Sequence, residues 1–353
     1  MKRWDIFCNV IDNFGDIGVS WRLSRQLANE FGQKIRLWVD DLDSFRRINP
    51  EAEIVSIQHS KGVEVRRWED PFPDVSPYEV VVESFGCRLP ENFLERMKEK
   101  KPLWINLEYL SAEEWVKGCH LLPSPCPPLM KHFFFPGFFR ETGGLILEKD
   151  LVERRQVFDK RDFWKKRDIE PDERLKVSLF CYENAQLDSL FAAWEKGKTG
   201  ILCLVPEGKI ASEVGSFSRG NLEVRVIPFV PQENYDHLLW ACDINFVRGE
   251  DSFVRAQWAA KPFVWQIYPQ QEEAHMKKLE AFLSLYCRGL EDRAADAAKA
   301  MWLAWNGKGN VGPAWEAFLN SRDVIEVHGR HWANEISGNN LAMNLVDFSM
   351  RKS

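Results

Sequence analysis

Three short stretches of this chain combine residue types that can do chemistry with the punctuation of a strand end. The first is Asp12-Asn13-Phe14-Gly15-Asp16-Ile17-Gly18, which sets two carboxylates four residues apart. Its glycines permit a tight turn and the close approach of a ligand. A carboxylate placed there acts as a general base or holds a cationic group; the plainer alternative is that Asp12 or Asp16 caps the helix that follows. The glycines do not spell GxGxxG, and Asp16 would repel a pyrophosphate, so the loop argues against a hydride-transfer cofactor.

The second stretch, Ser178-Leu179-Phe180-Cys181-Tyr182-Glu183-Asn184, ends a strand with aromatic rings. Such rings stack on a nucleobase or sugar, and equally well fill a core. The third, Phe246-Val247-Arg248-Gly249-Glu250-Asp251-Ser252-Phe253-Val254-Arg255, ends a strand at Val247 and starts a helix at Ser252. Backbone amides at that helix start, with Arg248 beside them, form a cradle for a diphosphate. Glu250 and Asp251 fit such a cradle only if they bind sugar hydroxyls or a cation. A cap explains Asp251 or Ser252 alone, but not Arg-Gly-Glu-Asp as a unit.

Other patterns are set aside. Asp41-Leu42-Asp43 has the form of the DxD of metal-dependent sugar transferases, but it lies in a polar turn where acids are common. His328 and His331 have the spacing of a metal pair, without a third ligand nearby or any CxxC, so a structural zinc is not expected. The eight cysteines mostly sit in apolar runs such as Ile6-Phe7-Cys8, the pattern of buried free thiols in a reducing compartment.

Loops of this kind need strands to place them. Residues 5–11 form a nearly apolar run, as in a central strand covered on both faces. An amphipathic helical pattern over 17–31 stops at Gly32, and strands follow at 35–39, 80–83 and 103–107. This βαβ succession predicts a parallel sheet. Over 147–174 both charge signs become dense, which reads as an exposed helical linker. A second strand series follows at 176–181, 201–205, 222–227, 243–247 and 262–267. The expectation is two α/β domains, 1–155 and 156–330, with a helical tail, 331–353, crossing back to complete the first.

The 353 residues suit about two domains. Basic residues number 47 and acidic ones 53, a net charge of −6, which argues against bulk electrostatic binding to nucleic acid or an anionic membrane. Hydrophobic residues at 45% and charged ones at 28% describe a globular chain. No apolar run reaches the length of a spanning helix. The opening Met-Lys-Arg-Trp-Asp-Ile-Phe-Cys has no small-residue cleavage site and reads as a first strand, not a signal peptide. A cytoplasmic enzyme is expected.

With those loops in hand, the chain resembles a known family along nearly its whole length. Residues 5–8 and 12–23, and the run Arg248-Gly249-Glu250-Asp251-Ser252-Phe253-Val254-Arg255-Ala256-Gln257-Trp258, are similar to the protein-arginine rhamnosyltransferases that modify translation elongation factor P (the EarP family). The resemblance implies a GT-B glycosyltransferase with two Rossmann-like lobes facing each other across a cleft. It implies dTDP-β-L-rhamnose as donor, an arginine of elongation factor P as acceptor, and inversion at the anomeric carbon. It further implies donor contacts from Phe180, Tyr182, Pro231 and Gln232, with Arg248, Gly249, Glu250, Asp251 and Ser252 holding the diphosphate. Phe14, Gly15, Asp16 and Ile17 would close over the sugar. Asp16 would be the catalytic base, Glu250 a second catalytic carboxylate and Asp12 a supporting acid. No metal or cofactor is expected, because helix amides and arginine can neutralise the phosphates. The competing readings are the same fold acting on a small-molecule or lipid acceptor, and a non-catalytic nucleotide-sugar-binding partner protein. Three acids beside a diphosphate count against the last.

Overall fold

The structure is a computed structural model; it describes every residue except 13, 184, 185, 270–272 and 353. The chain divides into two compact units, Met1–Lys149 joined by the tail from Ile336, and Asp150–Glu335.

The first unit is built on strands β1 (Arg3–Cys8), β2 (Lys34–Val39), β3 (Ile57–Ser60), β4 (Val63–Arg67), β5 (Val80–Ser84), β6 (Leu103–Leu107), β7 (Pro123–Cys126) and β8 (Leu129–Phe134). They lie in the order β3-β4-β2-β1-β5-β6-β8-β7. All neighbours are parallel except the edge hairpins β3/β4 and β7/β8. Every residue of β5 is buried, as in a strand covered on both faces. A cluster of Phe7, Trp38, Phe72, Phe93, Met97 and Trp104 fills one side. Asp5, fully buried in β1, is held by paired bonds from Arg36 at 2.5 and 2.9 Å, by Trp38 Nε1 at 2.9 Å and by the Tyr78 amide at 2.8 Å. That pairing is what a buried carboxylate requires.

The second unit repeats the plan with β9 (Leu175–Leu179), β10 (Ile201–Pro206), β11 (Phe217–Arg219), β12 (Leu222–Ile227), β13 (Ile244–Arg248) and β14 (Phe263–Gln266), ordered β11-β12-β10-β9-β13-β14. Its core packs Trp194, Phe246, Trp305 and Trp315 edge to face or tilted.

In both sheets the strand order reverses beside the first strand, between β1 and β5 and between β9 and β13. Open α/β sheets bind ligands at the carboxyl ends of strands at such a switch point. The loops after β1 and β5, and those after β9 and β13, are therefore the places to inspect. Among the described residues, no helix is long and apolar enough to cross a membrane.

Several expectations need correction. The boundary lies at 149/150 and the tail joins the first unit from 336, not 331. Arg155 bonds the Trp258 carbonyl, which ties 150–155 to the second unit. The charged 147–174 segment is no exposed linker: Phe163 and Trp164 are buried, and Phe158 stacks on His237 at 5.4 Å. β1 stops at Cys8 rather than at 11, because the amides of 10–12 are taken by side-chain carboxylates, not by neighbouring strands.

Candidate functional site

The chain after β1 turns on two carboxylates. Asp40, just past β2, accepts from the Val10 amide at 2.9 Å and from Asn9 Nδ2. Asp16 Oδ2 accepts from the amides of Ile11 at 2.8 Å and Asp12 at 2.9 Å. Asp16 Oδ1 accepts from the Tyr109 hydroxyl at 3.2 Å. Asp16 is only 2% exposed and stands in the first turn of the helix Gly15–Asn29, where the helix dipole favours an anion. The capping alternative is not what the structure shows for it, since its amide partners precede the helix. A carboxylate has about four lone-pair positions, and three are occupied by these bonds. The arrangement holds a negative charge in one orientation.

Gly15 is required by space. A Cβ there would lie 2.5 Å from Asp12 Oδ2, so any side chain would displace the Asp12 carboxylate. Its amide donates to the Asp12 carbonyl at 2.6 Å, closing the turn. The side chain of Ile17, expected to close over the sugar, is fully buried on the core side of its helix. Phe14 is the residue that precedes that helix.

Tyr109 was not picked out from the sequence. It lies two residues past β6, and its ring stacks on Phe85 with centroids 4.4 Å apart and 13° between planes. Phe85 follows β5 directly, at the switch point, and has a left-handed backbone with φ +58°. The topological rule that pointed to the loop after β1 also covers the end of β5, where Phe85 meets the Tyr109 ring.

In the second unit the expected donor residues come together. The Arg248 guanidinium lies over Phe180 at 4.4 Å and over Tyr182 at 4.6 Å, and its Nη1 donates to the Cys181 carbonyl at 3.0 Å. Arg248 therefore clips the aromatic loop to the end of β13, a task the sequence did not suggest. The Tyr182 amide donates to Gln266 Oε1 at 2.8 Å, and the Tyr182 ring meets Tyr268 edge-on. Between the rings, burial pushes the Cys181 thiol up to about 12, so it stays neutral.

Gly249 turns the chain with φ +62°, donates to the Gln266 carbonyl at 3.3 Å and accepts from Trp265 Nε1 at 2.7 Å. Glu250 stands at the start of the helix Asp251–Ala259 without capping it through its side chain. The Ser252 hydroxyl is engaged with the Arg248 backbone, accepting from its amide at 3.2 Å and donating to its carbonyl. Because Arg248 precedes the helix Asp251–Ala259, Ser252 is not the helix cap that the sequence offered as an alternative. Gln232, opening the helix Gln232–Ala241 after Pro231, donates to Asp251 Oδ2 at 3.0 Å. Behind them the buried Arg255–Asp236 pair joins the two helices through bonds of 2.7 Å. Asn184 lies outside the described residues.

The motifs set aside have structural roles. Asp41 caps the helix Leu42–Ile48 by accepting from the Ser44 amide at 3.0 Å, and His328 Nε2 lies 2.6 Å from the Tyr286 carbonyl. Among the described residues no cluster of His, Cys, Asp and Glu could hold a metal ion.

Comparison with known proteins identifies the family and the fold. A protein-arginine rhamnosyltransferase of Pseudomonas aeruginosa is 46% identical, with 99% of each chain covered. A solved structure described as the basis for EarP-mediated arginine glycosylation of translation elongation factor EF-P is 34% identical and covers 100% of both chains, with a TM-score of 0.71. The MurG of Acinetobacter baumannii, 11% identical with 99% of both chains covered and a TM-score of 0.51, shares the fold alone. The two Rossmann-like units are those of a GT-B glycosyltransferase. The model of the elongation factor P (EF-P) rhamnosyltransferase family EarP matches residues 4–350, and the chain belongs to that family.

Proposed function

We propose that this protein is a protein-arginine rhamnosyltransferase that modifies an arginine of translation elongation factor P in the cytoplasm. The observation that carries the reading is the match to relatives of that named activity along essentially the whole chain. The donor is dTDP-β-L-rhamnose, the anomeric centre inverts, and no metal takes part.

The two units divide the work. The acceptor guanidinium has a pKa above about 12 and a delocalised lone pair, so it is a poor nucleophile. Asp16 aligns it and takes its proton as the C–N bond forms and the C–O bond to the diphosphate breaks. Two amides and a hydroxyl already fix that carboxylate, which supports its role as an oriented base. The diphosphate leaves toward the amides at the start of the helix Asp251–Ala259, which neutralise its growing charge. Phe180 and Tyr182, clipped by Arg248, supply stacking surface for the nucleoside. Glu250 acts as the second carboxylate and Asp12 supports the loop.

Incubation with elongation factor P and donor, followed by intact mass measurement, tests this. One added deoxyhexosyl residue, absent when the acceptor arginine is replaced by lysine, is expected. An unmodified factor, with the donor transferred to a small molecule or lipid or not consumed at all, would reject it.

A further inference from the structure

We infer that Tyr109, held in place by Phe85, is a positioning residue that serves Asp16 in both of its protonation states. The inference rests on Asp16 being the base proposed above.

Asp16 Oδ2 is committed to two backbone amides, which can only donate. A proton arriving at Oδ2 would have to displace one of them. Oδ1 faces a phenol hydroxyl at 3.2 Å, and a phenol both donates and accepts. Before transfer the Tyr109 O–H donates to the charged carboxylate. During transfer the guanidinium N–H bond breaks, the C–N bond forms, and the proton lands on Oδ1. The Tyr109 hydroxyl then turns and accepts from the new O–H. The new O–H at Oδ1 is thus never left facing a fixed donor, and the two hydrogen bonds from the backbone amides to Oδ2 stay intact.

The molecule keeps Tyr109 there by an arrangement that local preference opposes. Phe85 takes a left-handed φ of +58°, which bulky residues rarely adopt. Residue-by-residue bonds pin it: Phe85 N to Leu107 O at 2.7 Å, Gly86 N to Asn106 Oδ1 at 3.1 Å, Cys87 N to Ser84 O at 3.2 Å and Arg88 N to Glu83 Oε1 at 3.3 Å. The outcome of this turn is the Phe85 ring lying flat on Tyr109. Strain held by its surroundings is typical of functional loops.

Three variants, Asp16→Asn, Tyr109→Phe and Phe85→Leu, are compared by steady-state kinetics, donor calorimetry and thermal melting. Asp16→Asn should lose nearly all activity. Tyr109→Phe should lower kcat about ten- to a hundredfold, with KM for elongation factor P, donor affinity and melting midpoint nearly unchanged. Phe85→Leu, which frees the Tyr109 ring, should move kcat in the same direction by less. If Asp16→Asn is inactive while Tyr109→Phe turns over at the wild-type rate, the inference fails and the base assignment stands. If the Tyr109→Phe loss appears in KM or in the melting midpoint, Tyr109 is merely structural and the inference fails too. Wild-type turnover by Asp16→Asn would remove the base assignment itself.

Discussion

The loop after β1 and the loop after β13 each lie at the switch point of their sheet, on opposite sides of it, and they are built oppositely. The first gathers backbone amides around a side-chain carboxylate: Ile11 and Asp12 point their N–H groups at Asp16. The second gathers aromatic rings around a side-chain cation and presents a helix start: Arg248 lies over Phe180 and Tyr182, ahead of Asp251–Ala259. One loop immobilises a negative group that the protein owns; the other, under the proposed function, would receive the diphosphate that the donor brings. The same fold, repeated, has been given complementary charge tasks. Their glycines differ in the same spirit, Gly15 being required by space and Gly249 by a left-handed φ.

The contrast predicts effects of different kind and size. Asp16→Asn keeps the shape of the first loop but removes the base, so kcat should fall by about a thousandfold or more; a fall below tenfold in single-turnover assays would break the division of tasks. Arg248→Ala should weaken donor binding by roughly ten- to a hundredfold, through loss of ring contacts and of the bond to Cys181. Lysine at 248 should not restore it, because an ammonium cannot lie flat against two rings; full recovery by calorimetry would show that only charge matters. Gly15→Ala pushes the Asp12 carboxylate aside and should lower kcat about tenfold. Gly249→Ala should instead reduce stability by about 1 kcal/mol in denaturant melts, and equal behaviour of the two would erase the distinction. The smallest effect lies away from both loops. Burial pushes His120 down to about 4, and its Nδ1 accepts from the Phe135 amide at 3.1 Å, which requires the neutral ring. The unfolded chain binds that proton near 6.5, so stability present above pH 6.5 should drain away as pH falls toward 4. His120→Gln should flatten that slope in melting curves while leaving donor affinity untouched.

Strands buried on both faces were legible because their sequence is a short apolar run: β5 begins at Val80 as read, and β6 coincides with 103–107. The edge hairpins escaped because β3 is Ile-Gln-His-Ser, polar after its first residue, and β7 is Pro-Ser-Pro-Cys, which reads as loop. The 147–174 segment misled because its charges outnumber Phe158, Phe163 and Trp164, the three rings that decide its packing. In the site, the loops carrying Asp16, Tyr182 and Arg248 were visible as unusual strings after strands. Tyr109 and Phe85 were not, since their meaning lies in a contact 24 residues apart that only the sheet order creates. Arg248 was seen as a charge, while its placement over two rings is a tertiary fact.

The claim on which the rest depends is that the first unit supplies the base and the second holds the donor. Titrating Asp16→Asn with dTDP-β-L-rhamnose in a calorimeter, and assaying the same sample for transfer, tests it most directly. The account predicts donor affinity within a few-fold of wild type and almost no modified elongation factor P. Donor binding lost together with transfer, or transfer retained, would contradict it.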